Sequence, residues 1–135
     1  MKYDQLVVKL WKKRGEVKDA PYKREIVPIF GPEPEFAGIE ELNANVTYIE
    51  PHSGTNYHSH VIGEIIWIVS GRGEVLLGDE KYDIEPDMVV FLPKGVFHCV
   101  RNNSPETLKL YNVFAPGMNR EKQKSQIVVK EAPNI

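Results

Sequence analysis

The alternation of apolar and polar positions along the chain predicts a series of short β-strands separated by turns. Runs rich in apolar and β-branched residues occupy positions 24–30, 41–49, 65–69, 74–77, 81–84, 88–92, 96–101 and 107–114. Glycine, proline and short polar residues separate these runs, and strands that recur about every eight to twelve residues are typical of a sandwich or barrel. We therefore expect an all-β fold.

Four local expectations follow from this pattern. Positions 5–11 are rich in β-forming residues and predict a first strand, followed by a polar loop over positions 12–21. Pro28 restricts the strand at 24–30 to an edge or a bulge. The glycines in positions 70–73 predict a hairpin turn that leads into the run at 74–77.

The end of the chain has a different character from the barrel region. Positions 119–126 are polar and predict the start of a short helix, and positions 127–129 predict a strand that pairs with this barrel or with a partner's. On the run that follows Glu64, parity places Ile66 and Ile68 inside the barrel and Trp67 outside. Either the N-terminal strand or a second copy of the chain would cover such an outward tryptophan, and we expect a homodimer.

Two histidines stand two residues apart at the start of this region. His58 and His60 point to the same side of an extended strand, and Glu64 has the same parity. A straight strand would separate His58 from Glu64 by about 20 Å, whereas metal–ligand bonds measure about 2.0–2.2 Å. A shared site therefore requires a turn at positions 61–63, where Gly63 supplies a permissive backbone.

One further histidine, His98, lies on a later predicted strand. A single histidine on a strand is more often packed or solvent-exposed than a ligand, but two histidines at HxH spacing, a nearby glutamate and a third histidine favour one metal site. We predict that His58, His60, Glu64 and His98 bind one divalent transition metal. This mixed nitrogen and oxygen set does not discriminate among Fe, Mn, Ni, Cu, Co and Zn.

These residues carry a resemblance to a known family. The segment His58-x-His60-x3-Glu64-x6-Gly71 resembles the first motif of the cupins, and Asp87-x5-Pro93-x-Gly95-x2-His98-x3-Asn102 resembles the second. The resemblance covers positions 45–115. It implies a double-stranded β-helix, or jelly-roll barrel, with the same four side chains as metal ligands and a small molecule as ligand or substrate.

Two positions depart from the cupin pattern, which usually has glycine at both. His52 stands six residues before the first ligand histidine, and Asp87 stands six residues before the proline of the second motif. Both positions are expected in turns. Aspartate tolerates turn conformations, and we expect Gly54 to supply the flexibility that His52 lacks.

Composition limits the remaining classes. A chain of 135 residues with 41% hydrophobic content fits one domain, and we expect a barrel core at about 41–115, N-terminal strands at 1–40 and a C-terminal tail at 116–135. The net charge of −2 argues against nucleic-acid binding, and no apolar run has the length of a membrane span. The first residues do not follow the order of a signal peptide, and Cys99 is the only cysteine. Both features predict a cytoplasmic protein.

Three functions remain open. The first is a dioxygenase-type enzyme that acts on a small organic acid, enol or diol at the metal. The second is a metal-dependent isomerase, lyase or decarboxylase that acts on a sugar-like or keto-acid substrate. The third is a non-catalytic module that binds a small ligand. No separate general base stands in a convincing position, so Glu64 is the one residue we name as a candidate for a catalytic role besides metal binding.

Overall fold

The computed structural model describes all 135 residues and contains twelve β-strands and one short α-helix. The strands are β1 (Glu16–Lys18), β2 (Arg24–Phe30), β3 (Asn43–Ile49), β4 (Ser53–Gly54), β5 (His58–Ser59), β6 (Glu64–Ser70), β7 (Gly73–Leu77), β8 (Glu80–Ile84), β9 (Val89–Leu92), β10 (His98–Asn102), β11 (Leu108–Phe114) and β12 (Val128–Val129). The helix is α1 (Arg120–Ser125), and three single 3-10 turns span Asp4–Leu6, Leu10–Lys12 and Pro34–Phe36.

The strands form two antiparallel sheets that face each other. The first sheet has the order β1-β2-β3-β11-β6-β9, and the second has the order β12-β5-β10-β7-β8, with β4 also paired to β10. Sequence neighbours such as β5 and β6, or β8 and β9, lie in different sheets, so the chain crosses repeatedly between them. This is the double-stranded β-helix, and the predicted all-β jelly-roll fold is confirmed.

Alternating side chains from both sheets fill the space between them. Nine buried residues form its main apolar cluster: Ile49, Ile66, Ile68, Val75, Ile84, Leu92, Val100, Leu108 and Leu110. As parity predicts, Ile66 and Ile68 lie inside, whereas 51% of the Trp67 surface is exposed. Burial of these aliphatic side chains supplies the main driving force for closing the two sheets over each other.

The N-terminal strand predicted at 5–11 is wrong. This segment forms the 3-10 turns Asp4–Leu6 and Leu10–Lys12, and its Val7 and Trp11 are exposed. Strand propensity reflects packing against neighbours more than an intrinsic backbone preference. The edge of the first sheet is instead β1, which lies within the segment predicted as a loop and pairs with β2.

The hairpin predicted at 70–73 is also wrong. The strands on either side of it do not pair, because β6 pairs with β11 and β9 whereas β7 pairs with β10 and β8. The segment is a corner that carries the chain from one sheet to the other. Gly71 has φ of +87°, and a Cβ on it would lie 2.5 Å from the Thr107 carbonyl oxygen, so only glycine fits.

The other turn predictions are confirmed, although the role of Gly54 differs from the one expected. The bulge expected near Pro28 is present, because the register of β2 against β3 shifts between Pro28 and Phe30. His52 and Asp87 occupy turns as expected, and both have positive φ, at 57° and 73°. His52 thus adopts the left-handed conformation without help from Gly54, whose role is close packing: a Cβ there would lie 2.6 Å from the Val100 carbonyl oxygen.

The C-terminal prediction is confirmed. Helix α1 begins after Asn119, whose side chain accepts a hydrogen bond from the Lys122 backbone N–H, as an N-cap residue does. Strand β12 then pairs with β5 of the same barrel. The structure has no helix with the length and apolar character that a membrane crossing requires.

Candidate metal centre

Three short pieces of chain bring the predicted site together. Strand β5 begins with His58, and His60 follows directly after it. The chain then bends at positions 61–63, as predicted, so that Glu64 opens β6 in the opposite sheet. His98 opens β10 and lies opposite His58 in the pairing of β5 with β10. A local bend and one strand pairing therefore place all four residues at the same end of the barrel.

The three histidines form a compact group, here called the histidine cluster (His58, His60 and His98). One ring nitrogen from each lies within 4.8 Å of the others, which is close enough for a single metal ion to bind all three. The ring centroids of His58 and His98 are 4.5 Å apart, and those of His60 and His98 are 4.9 Å apart. His98 is buried, and the other two are partly exposed toward the cavity.

Backbone carbonyls fix the orientation of each imidazole. Nδ1 of His58 lies 2.7 Å from the Asn56 oxygen, Nδ1 of His60 lies 2.8 Å from the Ile62 oxygen, and Nδ1 of His98 lies 3.0 Å from the Val96 oxygen. A carbonyl only accepts, so each neutral ring donates from Nδ1 and leaves the lone pair of Nε2 free. Such outer contacts set the tautomer of metal-binding histidines.

Glu64 is held beside the cluster by a chain of hydrogen bonds. The Asn112 side-chain amide on β11 donates to Glu64 Oε2 at 3.0 Å, and the Thr47 hydroxyl on β3 donates to Asn112 Oδ1 at 2.8 Å. The other carboxylate oxygen, Oε1, lies 3.3 Å from His60 Nε2. The carboxylate therefore has one oxygen occupied by an amide and the other directed at the histidine.

The predicted ligand set included neither Asn112 nor Thr47. The available signal was parity: Thr47 shares the inward face of β3 with Asn43, Asn45 and Ile49, and Asn112 shares the inward face of β11 with Leu110 and Phe114. Asn102 ends β10 and supports the neighbouring turns, since its amide donates to the carbonyl oxygens of Ile49, Glu50 and Glu106.

Comparison with known proteins fixes the family. The family model described as Cupin domain matches residues 45–114, which include both motifs. The chain belongs to the cupin superfamily. An uncharacterized protein of Streptomyces coelicolor is 31% identical over 80 residues, which cover 58% of this chain and 75% of the relative.

Solved structures share the cupin fold at low sequence identity. The polyketide cyclase RemF of Streptomyces resistomycificus aligns with a TM-score of 0.76 and 16% identity, covering 95% of this chain and 87% of the cyclase. A predicted oxalate decarboxylase of Thermotoga maritima aligns with a TM-score of 0.71 and 19% identity, covering 80% and 96%. At these identities the likeness establishes the fold alone.

The electrostatics of the cupin site are those of mutually close, buried bases beside one acid. Burial, followed by the neighbouring His58, lowers the pKa of His98 to about 4, and burial also lowers the pKa of His58. Burial acts on His60 in the same direction, but the Glu64 carboxylate outweighs it and raises the pKa of His60. Burial alone would raise the pKa of Glu64, whereas His60 and Asn112 together lower it. Neutral imidazoles beside a carboxylate are the protonation states that bind a metal cation.

One contact tests whether these residues fit a metal. His60 Nε2 is buried and has no hydrogen-bond partner, although Glu64 Oε1 lies only 3.3 Å away. When Nδ1 carries the proton, two lone pairs face each other across that gap. A proton on Nε2, which the raised pKa of His60 favours, or a metal cation in contact with both atoms relieves this repulsion, so the donor set fits a divalent ion that displaces the proton. The family and the histidine cluster together indicate metal binding.

The cluster opens into a cavity of about 350 Å³ at one end of the barrel. Apolar side chains, among them Ile49, Ile66, Leu110 and Phe114, line much of it. The C-terminal segment closes one side, because Gln123, Gln126 and Ile127 also belong to the lining. A cavity of this size suits a small organic molecule.

Proposed function

We propose that this cupin is a metal-dependent enzyme, of the dioxygenase type, that acts on a small organic acid, enol or diol. His58, His60, Glu64 and His98 would hold one divalent transition metal. The observation that carries the proposal is the histidine cluster itself. Its three imidazoles are oriented by carbonyls, and its lone pairs lie beside a buried carboxylate at the end of a small cavity.

The charges and contacts of these residues suit a catalytic metal. Three neutral imidazoles and one carboxylate contribute a single negative charge, so a bound dication keeps net positive charge. A divalent metal in such a site supplies Lewis acidity and open coordination positions. Asn112 keeps the carboxylate in place, and the apolar lining limits the access of water to a bound substrate. Structural metal sites, in contrast, fill all coordination positions with protein ligands.

The alternative within enzymes is non-oxidative chemistry. An isomerase, lyase or decarboxylase acting on a sugar-like or keto-acid substrate would use the same four residues to polarise a carbonyl. The names of the two structural neighbours, a cyclase and a predicted decarboxylase, support an enzyme in general. Only 12 of the 30 lining residues are hydrophobic, so the lining does not exclude a hydroxyl-rich substrate, and the oxidative class is placed first on the family resemblance.

The metal content of protein purified without added metal tests these alternatives. About one equivalent of iron, copper or nickel per chain would support the oxidative class, and oxygen uptake with enolic and diol substrates would follow. Zinc or manganese would direct assays to isomerisation and decarboxylation. Failure to bind any of these metals after reconstitution would overturn the proposal.

An enzyme and a non-catalytic binding module should respond differently to one substitution. If the cupin is an enzyme, His98→Ala abolishes turnover while the barrel remains folded, because the core cluster does not include His98. If the cupin is a module that recognises its ligand by shape, ligand affinity survives the substitution. Turnover and ligand affinity measured on the same preparation separate the two.

We also propose that the cupin is a homodimer. The outward positions of β6 and β9 carry only apolar side chains and are exposed: Ile65, Trp67, Val69, Val89 and Phe91. The N-terminal segment does not bury them. Interface cores are depleted in charge, and an uncharged face can pair with its own copy about a twofold axis.

Sedimentation velocity tests the homodimer. The change Trp67→Glu should dissociate it, whereas Val17→Glu, at an exposed position on β1, should not. A parent protein that is monomeric at micromolar concentration would contradict the proposal. A cytoplasmic location and the lack of a nucleic-acid partner remain predictions from the sequence.

A further inference from the structure

Positive charge surrounds the mouth of the cavity. Four cationic side chains line it, here called the cationic rim: Lys18, Arg24, Arg120 and Lys124. Only two carboxylates, Glu33 and Glu64, belong to the same lining, and Glu64 lies deep beside the histidines. The cavity therefore has a surplus of positive charge before any metal is counted.

Most of the rim has carboxylates nearby, but Arg24 forms no ion pair. Glu16 accepts from Lys18 Nζ at 2.6 Å, and its second oxygen accepts from Arg120. None of the six ion pairs in the structure includes Arg24. Its only side-chain hydrogen bond runs from Nη1 to the Tyr22 carbonyl oxygen at 2.9 Å, which leaves four of its five N–H donors without a protein acceptor.

The pairing of β1 with β2 places two cations next to each other, which lowers the stability of the protein when no ligand is bound. Lys18 of β1 lies directly opposite Arg24 of β2, and both line the cavity. Like charges directly opposite each other on neighbouring strands destabilise a sheet. Arg24 is also partly buried, and burial lowers its pKa, although the guanidinium still remains protonated. The Glu16 carboxylate opposes this effect from a distance, but it is bonded to Lys18 and Arg120 rather than to Arg24. A partly desolvated cation without a directly bonded counterion is a recognisable sign of a binding function.

Arg24 lines the same cavity as the histidine cluster. It opens β2, and Ile26 and Pro28, which follow it at the same parity, also line the cavity. All three histidines of the cluster belong to the same lining. A ligand in the cavity can therefore contact the guanidinium while another part of it reaches toward the histidines.

We propose that the ligand of this cavity is a small organic carboxylate and that Arg24 binds its carboxylate group. This inference rests on the proposed function in one respect, namely that the reacting end of the ligand faces the metal. The planar fork of arginine donates two parallel hydrogen bonds to a carboxylate. A phosphate ester fits less well, because the neighbouring rim cations Lys18 and Arg120 already bind Glu16, which leaves few free cations for a doubly charged group.

The test compares acids with their neutral amides on the intact protein. Lactate, pyruvate and benzoate are titrated calorimetrically against lactamide, pyruvamide and benzamide, with inorganic phosphate as a further probe. Each titration uses the zinc-loaded and the metal-free protein, because zinc binds without redox turnover. The variants are Arg24→Gln and Arg24→Lys. The matched control is Arg72→Gln, which removes one positive charge from an exposed arginine paired with Glu85, outside the cavity.

The expected result is that at least one acid binds the parent roughly 10- to 100-fold more tightly than its amide. Arg24→Gln removes this preference, Arg24→Lys retains part of it because the charge stays but the fork is lost, and Arg72→Gln leaves it intact. The preference persists at reduced affinity without metal. The inference is overturned if no acid binds more tightly than its amide, if Arg24→Gln keeps the preference, or if phosphate outcompetes every acid.

The metal-free arm separates this inference from the proposed function. If zinc fails to bind but the metal-free protein still prefers acids through Arg24, the metal proposal fails and the carboxylate subsite stands. If zinc binds tightly but Arg24→Gln has no effect on acid affinity, the carboxylate subsite fails and the metal proposal stands.

Discussion

The histidine cluster and the cationic rim are both polar regions of one cavity, but their side chains are held very differently. Each imidazole in the cluster is anchored by a backbone carbonyl two residues away, and Glu64 is anchored by Asn112. The rim consists of long side chains on β1, β2 and α1, and Arg24 has a single hydrogen bond to the backbone.

This difference corresponds to what each region has to bind. A metal ion tolerates little error in ligand position, so its site is built from short side chains on strands with supporting hydrogen bonds. A carboxylate is larger and accepts hydrogen bonds over a range of directions, so a longer side chain with free donors suffices. We infer that the cluster is preorganised and the rim is adaptable, and the following predictions test that distinction.

The largest effect is expected from removing two members of the histidine cluster. His58→Ala/His98→Ala should reduce the metal content from about one equivalent per chain to the background level, because the remaining residues supply too few ligands. Elemental analysis measures this. The control is His52→Asn, since His52 is exposed and its φ of 57° suits asparagine. Metal retained at the parent level by the double variant would rule out the cluster as the site.

A smaller loss is expected when only the support of Glu64 is removed. Asn112→Ala leaves Glu64 Oε2 without its donor and frees the carboxylate to move, which should weaken metal binding by about 10- to 100-fold. Competition with a chelator of known affinity measures the change. Asn103→Ala is the matched control, because Asn103 is exposed and bonds Glu74 at the surface. An Asn112 variant that binds as tightly as the parent would show that the cluster does not depend on this hydrogen-bond chain.

Chelation should reduce stability without unfolding the barrel. The nine-residue core cluster contains none of the proposed ligands, so the fold has its own source of stability. Loss of a bound metal should lower the melting temperature by about 5–15 °C. Thermal unfolding with and without chelator, followed by circular dichroism, checks this. Complete unfolding at room temperature would indicate a structural metal rather than an open catalytic one.

The smallest effect is expected when a residue of the cationic rim is substituted and the affinity for metal is measured. Arg24→Gln should raise metal affinity by less than about threefold, because it removes one partly screened positive charge from the cavity. The same chelator competition measures it. A loss of tenfold or more would mean that Arg24 supports the cluster directly, and the separation of the two regions would then be incorrect.

Local sequence patterns accounted for much of the site. The parity of His58 and His60, the bend required before Glu64 and the inward direction of Ile66 and Ile68 all depend on geometry within a few residues. These features follow from the alternation of side chains along a strand. The same reasoning gave a wrong prediction for the N-terminal segment, because apolar residues form a strand only where a neighbouring strand is available.

The sequence by itself determined the all-β class, the cupin resemblance and the four residues predicted to bind metal. Only the tertiary structure decided that β6 and β7 belong to different sheets, that Thr47 and Asn112 support Glu64, and that Arg24 lies unpaired at the cavity mouth opposite Lys18. The physical reason is that these facts depend on pairings between strands distant in sequence, and alternation within one strand carries no information about its neighbours.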